Sequence, residues 1–237
     1  MGLRAGFPDF NPATFFPDSS NYFVSTMTEE PVVPLRRIPL DRVSVVIDSV
    51  YAFAMTLLVL TIDIPSKYEH LKDVAPVHKI LLGVLPDLIH YFIAFFILAI
   101  LWYFEHQRFR ALRFLDRPLL CLNIASLAFV CLIPFSTNVA GDFPFDHLGA
   151  IIFELNIFIV GIIALIQWIY LRQKRRDLIP DMSPAQISRE ITWSTVFPAL
   201  SLIGILLAVL LVPFSLTIYI LIPFIMAFLF WKDPVQV

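Results

Sequence analysis

The sequence predicts an all-α membrane protein that crosses the bilayer six times, and three observations carry that prediction. Apolar residues make up 59% of the 237-residue chain and charged residues only 15%, against about 25% charged in a soluble domain. Mean hydropathy is +0.81. Leu119 to Gly141 and Pro198 to Trp231 contain no Asp, Glu, Lys or Arg at all, and about 20 apolar residues suffice for a helix to span hydrocarbon.

Residues 1–40 form a separate regime rich in Pro, Phe, Ser and Asn. They lack the apolar core of a signal peptide and read as a soluble, flexible cytoplasmic extension. Its aromatics, among them Phe7, Phe15 and Tyr22, are the groups that would dock it on the protein body or the membrane surface. A six-helix domain is expected over residues 41–232, with spans at about 42–64, 79–107, 116–137, 146–172, 185–212 and 214–231. Residues 233–237 form a short C-terminus. The run from Pro198 to Trp231 is too long for one span, and Pro213 divides it. Pro118 suits the first turn of a helix, and Gly141-Asp142-Phe143-Pro144 reads as a turn.

Loop charges orient the spans. Fourteen of the 17 Lys and Arg residues fall on the side of the N-terminus, leaving Lys67, Lys72 and Lys79 opposite. The side richer in basic residues is cytoplasmic, so both termini are expected in the cytoplasm. Trp168, Tyr170 and Trp231 sit near span boundaries, where aromatic belts form. The run Arg172 to Arg176 (RQKRR) anchors a cytoplasmic loop and is suited to anionic lipid.

Several function classes find no support. Cys121 and Cys131 lie in one apolar run, ten residues and so about 15 Å apart on a helix, too far to pair within it. They read as small buried core residues. No Cys/His cluster of zinc spacing, Gly-rich phosphate loop or nucleophile elbow occurs. A net charge of −2 suggests no nucleic-acid partner.

The first span, Arg42 to Pro65, carries the most information. It holds Asp48 within it and Asp63 at its far end, and an ionisable group at membrane depth is costly enough to mark a functional site. At 100° per residue Phe53, Thr56, Leu57 and Leu60 share one face, extended by Ser49 toward the cytoplasm and by Asp63 toward the outside. This stripe has two readings. It is an ordinary packing face, or it is a pore wall in which rings of Phe53, Leu57 and Leu60 from several subunits make a hydrophobic constriction. In the second reading Thr56 hydroxyls replace part of a cation's hydration shell and Asp63 concentrates cations at the mouth.

Asp48 lies about 140° around the helix from that stripe and points toward neighbouring helices, where it needs partners to stay ionised. Trp102 and His106 on the second span and Asn123 on the third are candidates. Arg42 could reach it only across another helix or subunit. The resulting network either clamps helix packing or takes part in gating. Glu154, with Asn156 and Gln167 in the fourth span, is either a satisfied packing carboxylate or a proton-sensitive one, and Asp87 and His90 are interfacial.

These residues resemble a known family, the transmembrane-protein-175 type potassium channels, whose first helix opens R-x-x-x-F-S-D before an apolar run. Arg42-Val43-Ser44-Val45-Val46-Ile47-Asp48 keeps the Arg and Asp at that spacing, and Tyr51 to Leu60 follows the rest. Leu101 to His106 retains the Trp and second His of the family's W-x-x-H-H ending, and Asn123 with Ile133-Pro134-Phe135 fits its third helix. Val46 and Ile47 depart from the Phe-Ser of the motif, and Phe53 from the usual Ile or Leu, changes that bear on gating and ion discrimination. The resemblance implies a homotetramer in the bilayer, four first helices around a central pore, and a constriction at Phe53, Leu57 and Leu60 with Thr56 beside it. It implies a passive K⁺-preferring channel without a T-V-G-Y-G filter, with K⁺ as permeant ion and neither a resident metal nor a cofactor.

Two other classes compete. A proton- or cation-coupled carrier would use Asp48, Glu154 and His106, but the halves show no internal repeat and no matching pair of broken helices. A membrane-embedded enzyme would need a nucleophile–base pair or metal cluster at one depth, and the five His are scattered. The favoured expectation is therefore a channel with no catalytic role and no small-molecule substrate.

Overall fold

The computed structural model describes residues 40–62, 77–143, 145–210 and 219. The expected tail as far as residue 39, Asp63, and the sixth span and C-terminus apart from Tyr219 lie outside the described residues; Leu40, expected to close the tail, opens the first helix. Among those described, the regular structure is helical: α1 (Leu40–Leu57), a 3₁₀ segment (Leu58–Thr61), α2 (Val77–Ala111), α3 (Arg117–Cys131), α4 (Ile133–Asp142), α5 (His147–Gln173), α6 (Arg175–Leu178), α7 (Pro184–Ser194) and α8 (Val196–Leu210). Among the described residues, five stretches are long and apolar enough to cross a membrane: Leu40–Thr61, Leu81–Ala111, Arg117–Asp142, His147–Gln173 and Pro184–Leu210. The protein is an all-helical, multi-pass membrane protein.

Local chemistry sets the boundaries. Asp116 caps α3 by accepting from the Leu119 N–H at 3.1 Å, with Pro118 in the first turn, where no intrahelical donor is needed. Asp146 caps α5 at the Leu148 N–H, 2.9 Å. Ser183 and Gln186 form a reciprocal capping box at the start of α7. The third span is not one helix. It divides at Leu132 into α3 and α4 because Pro134, in the first turn of α4, has no N–H to give to the preceding turn. The turn expected from Gly141 begins later: α4 carries Gly141 and Asp142, and the reversal comes with the Asp146 N–H on the Phe143 carbonyl, 3.0 Å.

Helix α5 is the centre of the bundle, packed on α8, α4, α3 and α7, while α1 lies against α2, α3 and α4. Cys121 and Cys131 are both exposed on α3, which corrects the expectation of buried thiols. The reason is physical: in a bilayer the outward face is as apolar as the core, so apolar neighbours do not signal burial.

Candidate functional site

Helix α1 presents two faces. Ile47, Tyr51, Ala54 and Leu58, spaced four, three and four residues apart, are buried against the bundle. The opposite face repeats every seven residues: Val45, Val46 and Ser49, then Ala52, Phe53 and Thr56, then Val59 and Leu60, all exposed. Phe53 is 65% and Leu60 71% exposed, whereas Leu57 sits at the edge, half-buried. The stripe expected from periodicity therefore lies on the uncovered side of this chain.

The two hydroxyls on that face turn inward for their donors. Ser49 donates to the Val45 carbonyl at 2.7 Å and Thr56 to the Phe53 carbonyl at 2.8 Å. Each proton is thereby used within the helix, and the oxygen lone pairs remain for an outside partner such as a cation. Beyond Leu57 the helix tightens to 3₁₀ through Thr61, whose hydroxyl donates to Leu58 O at 2.8 Å.

Asp48 sits beside the stripe and is held from α2. The Trp102 indole N–H donates to Asp48 Oδ1 at 2.8 Å. His106 Nδ1 stands 4.0 Å from the same oxygen, and its ring lies 5.5 Å from the Trp102 ring. The Asp48 and His106 side chains are 42% and 39% exposed, so a single chain covers this cluster only in part. Trp102→Phe keeps the ring but removes the donor; it is expected to cost about 1–2 kcal/mol, read as a lowered melting temperature in detergent.

Two residues grouped with Asp48 on sequence stand elsewhere. Asn123 donates to the Leu119 carbonyl at 2.9 Å and accepts from Gln167 at 3.2 Å, joining α3 to α5. An amide buried between α3 and α5 satisfies itself with its nearest polar neighbour. Arg42 is exposed and makes no ion pair with Asp48 within this chain.

Other polar groups link the helices. Tyr170 donates to Asp116 at the start of α3. Asn156 donates to Ser136 at 3.2 Å, and His147 Nδ1 contacts Ala208 O at 2.7 Å. Glu154 is fully buried and accepts from the Tyr219 hydroxyl, which also lies 3.2 Å from Ser201 Oγ. Its carboxylate rests on Gly204, where a Cβ would come within 2.3 Å of it. Sequence reasoning missed one pair, Glu105 and Arg108. Both are buried inside α2, which runs four residues past the expected end of the span. Their i, i+3 spacing is the signal that could have revealed them. Among the described residues, no group of three or more His, Cys, Asp or Glu is placed to hold a metal ion.

Residues 42–134 match the family model described as endosomal/lysosomal potassium channel TMEM175. This stretch carries the TMEM175 pattern. The resemblance read from the Arg42–Asp48 motif is thus borne out over the first three spans. A potassium channel of Streptomyces collinus is 28% identical over 118 residues, which are 48% of this chain and 55% of that protein. The match therefore spans about half the length of that relative. Two TMEM175 crystal structures share the fold. A homologue of the lysosomal potassium-selective channel TMEM175 from Chamaesiphon minutus superposes with TM-score 0.67 at 21% identity, over 78% of this chain and 95% of that one. A threonine-to-alanine variant of the potassium channel MtTMEM175, in complex with a nanobody fusion, gives TM-score 0.55 at 15% identity, over 84% and 95%.

Proposed function

We propose that the protein is a passive, potassium-preferring cation channel of the cell membrane. It assembles as a homotetramer with four α1 helices around a central pore and both termini in the cytoplasm. The observation that carries this reading is the outer face of α1. A seven-residue repeat is the period at which helices associate over a long seam, and its small members Ser49, Ala52 and Thr56 favour protein contact over lipid contact. Phe53, Leu57 and Leu60 form the constriction, which gates by dewetting. Thr56 oxygens offer partial replacement of hydration beside it, Ser49 lines the cytoplasmic end, and Asp63 draws cations to the outer mouth. TMEM175 relatives bear the potassium-channel name, and a fold shared with them supports the same reading.

The part Asp48, Trp102 and His106 play is to fix the register of α1 on α2, so that the hydrophobic rings meet at one level. No catalytic step is assigned to any of these groups.

The direct test is flux into liposomes that contain the purified protein, driven by a K⁺ gradient and then by a Na⁺ gradient. Downhill K⁺ flux exceeding Na⁺ flux, without a coupled ion, is the expected outcome. Absence of flux in both gradients across a range of pH would refute the channel. Uphill accumulation abolished by a protonophore would instead establish a coupled carrier working through Glu154, Asp48 and His106.

A further inference from the structure

The one ion pair buried among the described residues lies behind α1, on the side opposite the outer stripe. Arg108 is 1% exposed, and its Nη2 donates to Glu105 Oε2 one helical turn earlier. The pair is not closed. Glu105 Oε1 and Arg108 Nε are both buried with no hydrogen-bond partner. Both side chains line a cavity of about 20 Å³ together with Tyr51, Ser126 and Trp193, room for one water molecule. The lining is drawn from α1, α2, α3, α5, α7 and α8, so all five of the described candidate spans meet at this point.

A buried ion pair adds little net stability, because desolvation offsets its attraction, and an apolar pair of similar volume often serves as well. Stability alone therefore does not account for two charges and two unpartnered polar atoms here. Tyr51 is the only α1 residue in the cavity, and it is 2% exposed. Phe53 and Thr56 follow within about a turn and a half on the opposite face. A helix moves as a rigid body over that distance, so a contact that fixes Tyr51 fixes the stripe.

We propose that Glu105 and Arg108, closed by one water molecule, form a polar clamp that holds Tyr51 and so positions the outer face of α1. The functional consequence rests on the channel reading above, while the clamp itself does not. Arg108 supplies an N–H and Glu105 an oxygen to the water, and Tyr51 lines the same small space and offers its hydroxyl to it. Glu105 and Arg108 are positioning residues.

The test uses the full-length protein in two variants, followed by hydrogen exchange of the α1 peptide and by K⁺ flux. Glu105→Leu with Arg108→Met removes both charges and is expected to melt near the parent temperature. Tyr51→Phe removes only the hydroxyl. In both, amide exchange around residues 47–54 should rise about three- to tenfold with α5 and α8 unchanged, and K⁺ flux should fall severalfold. Parent-like α1 exchange in Tyr51→Phe overturns the clamp, whether or not the double variant folds. If the parent itself carries no flux, the channel reading fails, and the exchange data still decide the clamp.

Discussion

Phe53→Ser is expected to raise downhill K⁺ flux by about tenfold or more. Its side chain is among the most exposed on α1, and in the proposed tetramer it stands in the narrowest, driest part of the path. A hydrophobic ring excludes water, and an ion crossing it loses hydration with nothing in exchange. A serine ring lets water in, and each ~1.4 kcal/mol removed from the crossing barrier is worth about tenfold in rate. Leu57→Ser should act in the same direction but less, because Leu57 is half-buried at the edge of the stripe. Part of its substitution cost is packing, so its melting temperature should fall as well. Flux unchanged in Phe53→Ser, with normal assembly, would exclude Phe53 from the conduction path.

Gly161→Val is expected to leave no stably folded protein. A Cβ at Gly161 would stand 2.6 Å from Pro198 Cδ, 3.0 Å from Pro198 N and 3.2 Å from Phe197 Cβ. Here α5 and α8 touch almost backbone to backbone, and a proline ring cannot move aside as a flexible side-chain tip can. Overpacking of even one methylene costs about 1–3 kcal/mol, which sets the expectation for Gly161→Ala; valine adds two methyls in the same place. Gly141→Ala is the control. Its Cβ would meet only His90 Nδ1 at 3.4 Å, ordinary contact, and alanine is the better helix former by about 1 kcal/mol. Its melting temperature should equal or exceed that of the parent. Equal tolerance of alanine at both positions would contradict the close α5–α8 approach.

Much of the candidate site's local arrangement was legible because it is local. The i, i+3, i+4, i+7 spacing of Phe53, Thr56, Leu57 and Leu60 is enough to put them on one side of the first helix, where all but the half-buried Leu57 are exposed. The 140° offset of Asp48 sent it toward α2, where Trp102 holds it. What sequence spacing could not supply was the partner across space. Asn123 belonged with Gln167 rather than Asp48, since a buried amide pairs with whichever polar group packing brings to its depth. Arg108 lies beyond the expected end of the second span at residue 107, and it is buried because α2 continues to Ala111 and packs into the bundle.

By itself the sequence determined that the chain is a helical, multi-pass membrane protein. Hydrocarbon thickness and the helical period act on neighbouring residues, and both are written in the linear order. Tertiary structure alone decided which apolar residues are inside. A membrane helix is greasy all round, so Cys121 and Cys131 could face outward while Glu105, Arg108 and Glu154 faced in. The same packing decided where each buried charge finds its counterpart, because lipid offers none and only another helix can.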